Sequence, residues 1–285
     1  MSALSGTWSA AGQRVALVPT MGFFHEGHLS LMRQGRSLAD RLVVSLFVNP
    51  AQFGPGEDLD AYPRDPERDA RLAAECGADA LFRPAPGDMY APDYATWVEV
   101  PALSGQLCGA SRPGHFRGVC TVVLKLLHIV RPDVALFGRK DWQQLAVIRR
   151  MVRDLNVPVR VEGLPIVREA DGLAMSSRNA YLGPEERAQA PAIRQGLLFT
   201  RDLALAGERD AATLLAELRG YLARHLPAGQ PDYLSLVHPD TLQPVESLDP
   251  SGGDALLAVA VQLGRARLID NLLISQTPKA SQENP

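Results

Sequence analysis

The chain is predicted to be an α/β protein, a parallel sheet wrapped by helices and followed by a smaller α+β domain. Three observations carry this. Apolar runs of strand length alternate with helical patterns through the first half, as right-handed βαβ units require. The run Leu42-Val43-Val44-Ser45-Leu46-Phe47-Val48 is apolar at nearly every position, as a strand covered on both faces should be. Near Pro165 the regular alternation stops, which places a change of domain there.

Taken in order, the first-half strands are expected at residues 14–18, 42–48, 78–82 and 133–137, with 159–163 as a fifth. A helix begins after Asp65, an N-cap followed by Pro66 in the first helical position, and closes at Gly77. Residues 118–130 form a second helix, whose Val122, Val123, Leu126, Leu127 and Ile129 belong to the core. A third runs over 142–155 with Leu145, Ile148, Val152 and Leu155 on one face; Asn156 and Pro158 end it. Beyond Pro165, strands are expected at 166–174 and 255–261, and helices at 185–206 and 211–226, Pro191 kinking or splitting the former. The polar, Pro-containing end at 275–285 is expected to fray. The resulting division is a Rossmann-like domain over 1–166 and a smaller α+β domain over 167–285.

Composition limits the function classes. The 285 residues are 46% hydrophobic and 21% charged, enough for two buried cores and ordinary for a soluble protein. A net charge of −3 gives no general attraction to nucleic acid or anionic membrane, so any phosphate site has to be local. No apolar run reaches the length of a membrane span, and no signal-peptide pattern opens the chain. Cys76, Cys108 and Cys120 are odd in number and lack C-x-x-C spacing, which supports neither a disulfide framework nor a zinc site. The expectation is a cytoplasmic protein with no metal held by its own side chains.

The chemistry lies in His25-Glu26-Gly27-His28, between the first strand and an amphipathic stretch that starts Leu29-Ser30-Leu31-Met32. A helix start offers unsatisfied N–H groups and a positive dipole end, where phosphates settle. Two imidazoles there add donors for charge developing on a phosphate. A lone histidine in such a place is usually a cap or a surface residue; the pair, behind Pro19-Thr20-Met21-Gly22, points to nucleotide chemistry. Neither G-x-G-x-x-G nor G-x-x-x-x-G-K-[ST] occurs in the chain.

Three further polar clusters follow expected elements. Asn49-Pro50-Ala51-Gln52-Phe53-Gly54 comes after 42–48, Gly138-Arg139-Lys140-Asp141 after 133–137, and Met175-Ser176-Ser177-Arg178-Asn179 after the domain boundary. Alone, the first reads as a turn, the second as a solvated loop with Asp141 capping a helix, and the third as an ordinary polar loop. Together with Met21–His28, the first two share one rim of one sheet, where open parallel sheets bind ligands. Lys140 offers a point charge to phosphate, Arg178 a planar fork, Ser176 and Ser177 short donors, and Gln52 and Gln144 neutral amides that orient a hydroxyl or carboxylate. No nucleophile–base set is readable, so transfer by positioning and positive charge is expected instead of a covalent enzyme intermediate.

These stretches resemble the pantothenate synthetase (pantoate–β-alanine ligase) family of the H-x-G-H nucleotidyltransferase superfamily. The resemblance covers nearly the whole chain. It rests on Pro19–His28, Phe47-Val48-Asn49-Pro50-Ala51-Gln52-Phe53, Asp58-Leu59-Asp60-Ala61-Tyr62-Pro63-Arg64, Arg112-Pro113-Gly114-His115-Phe116, Lys140-Asp141-Trp142-Gln143-Gln144, Met175–Asn179 and Arg267-Leu268-Ile269-Asp270-Asn271. H-x-G-H alone is widely shared; its combination with F-V-N-P-x-Q-F and K-D-x-Q-Q is much narrower.

The resemblance implies a two-step ligation. ATP, accompanied by Mg2+, and (R)-pantoate give pantoyl adenylate and pyrophosphate; the β-alanine amine then displaces AMP to give pantothenate. It implies that Met21, Gly22, Phe23, Phe24, His25, Glu26, Gly27, His28, Gly138, Arg139, Lys140, Asp141, Val167, Met175, Ser176, Ser177 and Arg178 hold ATP. His28, His25, Lys140 and Arg178 would be catalytic, with His28 in the proton-donor role. Gln52 and Gln144 would hold pantoate, the former near β-alanine, and the M-S-S-R loop would ride on a mobile C-terminal lid. A homodimer is also implied. Three departures stand out: Arg139 replaces the family's usual Glu, Phe24 replaces Leu, and the segment before Arg14 is short, so a helix often found there is expected to be missing or reduced. Two rival readings are another H-x-G-H adenylyl- or cytidylyltransferase with a different acceptor, and a nucleotide sensor without turnover.

Overall fold

A computed structural model describes residues 1–249 and 253–275, and the chain divides into two compact units, Met1–Val167 and Arg168–Pro285. The expected frayed end, apart from Ser275, lies outside the described residues.

The first unit contains α1 (Ser2–Ala10), β1 (Val15–Thr20), α2 (Glu26–Leu38), β2 (Arg41–Leu46), α3 (Pro66–Glu75) and β3 (Ala80–Phe82). Three single turns of helix follow, α4 (Pro86–Met89), α5 (Pro101–Ser104) and α6 (Cys108–Ser111), then α7 (His115–Val130), β4 (Val134–Gly138), α8 (Trp142–Asp154) and β5 (Arg160–Leu164). The five strands form one sheet in the order β3-β2-β1-β4-β5, every neighbouring pair parallel. Rossmann-like architecture follows from the residues. Leu42, Val43 and Val44 of β2 are fully buried on alternating faces, so helices must cover both sides. The chain winds one way from β1 to β3 and the other way from β4 to β5. The winding therefore reverses between β1 and β4, the place where such sheets open a crevice beyond their strand ends.

At the start of the chain the helix expected to be missing or reduced is not missing. It is present as α1, anchored by buried Trp8, over whose indole the Arg41 guanidinium stands at 5.6 Å.

The second unit holds α9 (Pro184–Gln189), α10 (Ala192–Leu205), α11 (Ala211–His225) and a three-stranded antiparallel sheet, β6 (Gly229–Val237), β7 (Ala255–Leu263) and β8 (Ala266–Ile274), in the order β6-β7-β8. Its own core includes Leu197, Leu214, Leu218, Leu257 and Val259. Pro191 does split the expected long helix, standing at the N-cap of α10. The expected strand at 166–174 is not a strand; only an isolated antiparallel bridge joins Arg168 to Ala174. Its charges are used otherwise. Arg168 reaches Asp270 of β8 through two bonds, Nη1–Oδ2 at 2.8 Å and Nη2–Oδ1 at 2.9 Å, with the Asp270 side chain buried. Among the described residues no helix is long and apolar enough to cross a membrane, and none of Cys76, Cys108 and Cys120 is in a disulfide.

Candidate active site

The turn from Met21 to Phe24 leaves β1 at the crevice and enters α2. Gly22 has φ +94° and Phe23 φ +52°. A Cβ on Gly22 would lie 2.6 Å from Leu46 Cδ1, so glycine is required by space as well as by backbone. Phe24 is buried and packs its ring 5.5 Å from that of His28; Arg68 stands over Phe23 at 5.7 Å. The two histidines then form a reciprocal cap. His25 Nδ1 accepts the Gly27 N–H at 3.1 Å, His28 Nδ1 accepts the His25 N–H at 3.3 Å, and the rings lie 4.1 Å apart. Glu26 is exposed and pairs with Arg33.

Several amides of this turn and helix start are already taken. The N–H groups of Phe23, Phe24, His25 and Gly27 are all engaged inside the protein. Because each imidazole accepts through Nδ1, its neutral form carries the proton on Nε2. The two rings are therefore donors available for an anion. Burial, and then the neighbouring His25 and Lys140, hold His28 well below its ordinary pKa, so it is a neutral donor at physiological pH.

The second cluster is tied to the first. Asn49 caps a 3-10 turn, Pro50–Gln52, by accepting the Ala51 N–H. Its Nδ2 donates to Gln52 Oε1 at 3.2 Å and to the Gly118 carbonyl at 3.1 Å, and Tyr90 donates to its Oδ1 at 2.8 Å. Burial, and secondarily Tyr94, push the Tyr90 phenol up to about 12, which keeps it a donor. Gln52, itself buried, donates through Nε2 to Met21 Sδ at 2.9 Å. Beneath it, His115 Nδ1 donates to the Gln52 carbonyl at 2.8 Å, and Arg112 forms a two-bonded ion pair with Glu57 at 2.6 and 2.8 Å. Gln52 is thus held on its main chain and on its side chain.

The third cluster follows β4. Gly138 is the last strand residue, and Arg139, Lys140 and Asp141 form a 3-10 turn leading into α8. Arg139, the departure from the family pattern, donates through Nε to the Gly163 carbonyl at 2.9 Å, binding the ends of β4 and β5 together. Asp141 holds the N-cap position of α8, but its side chain makes no capping bond, contrary to expectation; it lies 3.9 Å from Lys140 Nζ instead. The two glutamines diverge. Gln143 is buried and stitches the Cys108 amide and the Leu103 and Gln106 carbonyls, a packing role. Gln144 is half-buried and makes no such bonds among the described residues.

The fourth cluster belongs to the second unit. Val167 is the last residue of the first unit and is half-buried. Met175, Ser176, Ser177 and Arg178 form a loop and 3-10 turn in which Ser176 Oγ accepts the Arg178 N–H at 3.2 Å. Asn179 fastens the loop, donating to Glu169 Oε1 at 2.7 Å and to the Ala174 carbonyl at 3.1 Å, while Arg187 pairs with both Glu169 and Asp171. The sites predicted from sequence therefore fall on two bodies: Met21–His28, Gln52, Gly138–Asp141, Gln144 and Val167 on the first, Met175–Arg178 on the second.

Comparison with known proteins decides the family. Residues 1–273 match the family model described as pantoate–β-alanine ligase. A pantothenate synthetase of Oleidesulfovibrio alaskensis is 61% identical over 267 residues, 94% of each chain, and one of Desulfovibrio desulfuricans is 62% identical over 274 residues, 96% of each. The chain belongs to the pantoate–β-alanine ligase family. The structure of pantothenate synthetase from Thermus thermophilus superposes with a TM-score of 0.87 at 48% identity, covering 94% of this chain and 96% of that one. A pantoate–β-alanine ligase from Francisella tularensis, solved with β,γ-ATP and β-alanine, gives 0.76 at 30% identity, covering 94% of both chains.

Sequence reasoning missed several residues that shape this ligase-family site. Asn49 is visible only as part of a polar turn, Arg112 and His115 only as a matched motif, and Tyr90 not at all. Asp69 lies unmarked inside a helix. One signal could have found it: Asp69, Leu72, Ala73 and Cys76 share one face of α3 at helical spacing, and Asp69 is the charged member of that inward stripe.

Proposed function

We infer that the protein joins pantoate to β-alanine with ATP, giving pantothenate, AMP and pyrophosphate through a pantoyl adenylate. The observation that carries this is the pair of imidazoles, His28 held neutral beside Lys140, on the sheet rim, in a chain matched by the ligase family over residues 1–273. In the first step the pantoate carboxylate attacks the α-phosphate and pyrophosphate leaves. Negative charge grows on the phosphoryl oxygens, and His25 and His28, through Nε2–H, and Lys140 are assigned to meet it. In the second step the amine of β-alanine attacks the acyl carbon and AMP departs with the bonding pair.

Gln52 and Gln144 are assigned to pantoate. Arg178, Ser176 and Ser177 are assigned to the phosphates, delivered by the second unit acting as a lid that excludes water from a hydrolysable adenylate. Magnesium enters with the triphosphate. Phosphate oxygens and water are proposed to supply most of its ligands. The proposal includes a homodimer, testable by light scattering, and a cytoplasmic location. The deciding experiment incubates purified protein with ATP, magnesium and pantoate and follows AMP with and without β-alanine. AMP release that needs both acids supports the ligase; a different obligatory acceptor, or tight ATP binding with no turnover, would replace it.

A further inference from the structure

The Asp69 carboxylate is 1% exposed and, among the described residues, faces no cation. Its oxygens are taken by main-chain amides instead, Oδ2 by the Phe23 N–H and Oδ1 by the Phe24 N–H, each at 2.7 Å. A buried charge is costly unless such bonds compensate it, and an apolar side chain would fill the same space at less cost. The two amides belong to the turn in which Gly22 and Phe23 hold positive φ, a conformation that a phenylalanine keeps only where its surroundings enforce it. One residue further on stands His25.

We propose that Asp69 is a positioning residue for adenylate formation: by gripping the main chain at Phe23 and Phe24 it sets where the His25 and His28 imidazoles stand, without itself touching the nucleotide. This rests on the ligase reading above. The grip also leaves the rings presented. With the Phe23 and Phe24 amides bound by Asp69 and the His25 and Gly27 amides bound by the imidazoles through Nδ1, the Nε2–H groups serve as donors to a phosphate. An amide at position 69 could accept only one of the two N–H bonds and would turn its own N–H against the other.

The test compares wild type with Asp69→Asn and Asp69→Glu, the latter keeping the charge but displacing it by a methylene. Three readouts are taken: pantoate-dependent exchange of pyrophosphate into ATP, AMP release from prepared pantoyl adenylate with β-alanine, and the imidazole 15N signals. Asp69→Asn is expected to slow exchange about 10²-fold, the scale of a small displacement in a reacting array, and to leave the second half-reaction near wild type. The signals of His25 and His28 should move while those of the other histidines stay. Exchange near wild type, both half-reactions falling together with unmoved His25 and His28 signals, or loss of fold in both variants would overturn the proposal. Absence of exchange in the wild type would instead sink the ligase reading, and the imidazole signals, which need no turnover, keep the two failures apart.

Discussion

Lys140 and His115 show how differently two basic side chains near one crevice can be employed. Lys140 sits on the rim, follows β4 directly, and contributes to holding His28 neutral. Lys140→Ala is expected to lower pantoate-dependent pyrophosphate exchange by about 10²–10³-fold, the cost of removing one group that meets transition-state charge. An exchange rate close to wild type would remove Lys140 from the chemistry. His115 works from below. Burial, and next the Arg112 guanidinium, lower it to about 4, against an unfolded value of about 6.5. Above pH 6.5 neither state protonates it and its contribution is complete. Between about 6.5 and about 4 the unfolded chain takes up a proton that the folded chain refuses, so stability falls with pH by up to ~1.4 kcal/mol per unit. Urea unfolding from pH 7.5 to 4.5 should show this slope, reduced by about one proton in His115→Gln. An unchanged slope would mean that His115 titrates normally.

At the scale of elements, the tightest contact beneath the site is between α7 and the 3-10 turn that carries Gln52. A Cβ on Gly118 would fall 2.2 Å from the Ala51 carbonyl oxygen and 2.7 Å from Gln52 Cα, both backbone, so the turn would have to move. Gly118→Ala should cost about 1–3 kcal/mol of stability and raise the KM for pantoate more than that for ATP. Urea midpoints and initial rates would check both; equal changes in the two KM values would detach Gln52 from pantoate. The elements also show what a sequence displays and what it hides. The buried strands β1, β2 and β4 are largely apolar, and α3 and α11 carry aspartate caps, so these were legible. β6 opens Gly229-Gln230-Pro231-Asp232, residues of a turn, yet pairs at a sheet edge where Pro is tolerated. β8 is broken by Arg267, Asp270 and Asn271, and its buried Asp270 is explained only by Arg168, a partner about a hundred residues away. The apolar spacing around that arginine, at 166–174, imitates a strand where none forms. The residues assigned to the site were legible because they cluster in short motifs, three of which follow β1, β2 and β4. The site's scaffolding (Asn49, Tyr90, Asp69) was not, because those side chains meet their partners only after folding.

For the molecule as a whole, two separate cores imply two separable stabilities. Leu17, Val18 and Leu136 belong to the first unit's interior, Leu197, Leu257 and Val259 to the second's. The Arg168–Asp270 pair lies entirely within the second unit. Asp270→Ala leaves a largely buried guanidinium without its partner and should cost about 3–5 kcal/mol. Hydrogen exchange should report this as lost protection in β6, β7 and β8 with β1, β2 and β4 unaffected; uniform loss across both sheets would mean that the units unfold as one. All five parallel strands lie within residues 1–167, so no ladder in that sheet awaits anything encoded downstream. During synthesis from the N-terminus the sheet, and with it the half bearing the two histidines, can close while the ribosome is still translating the second unit, before the body that carries the M-S-S-R arginine is complete.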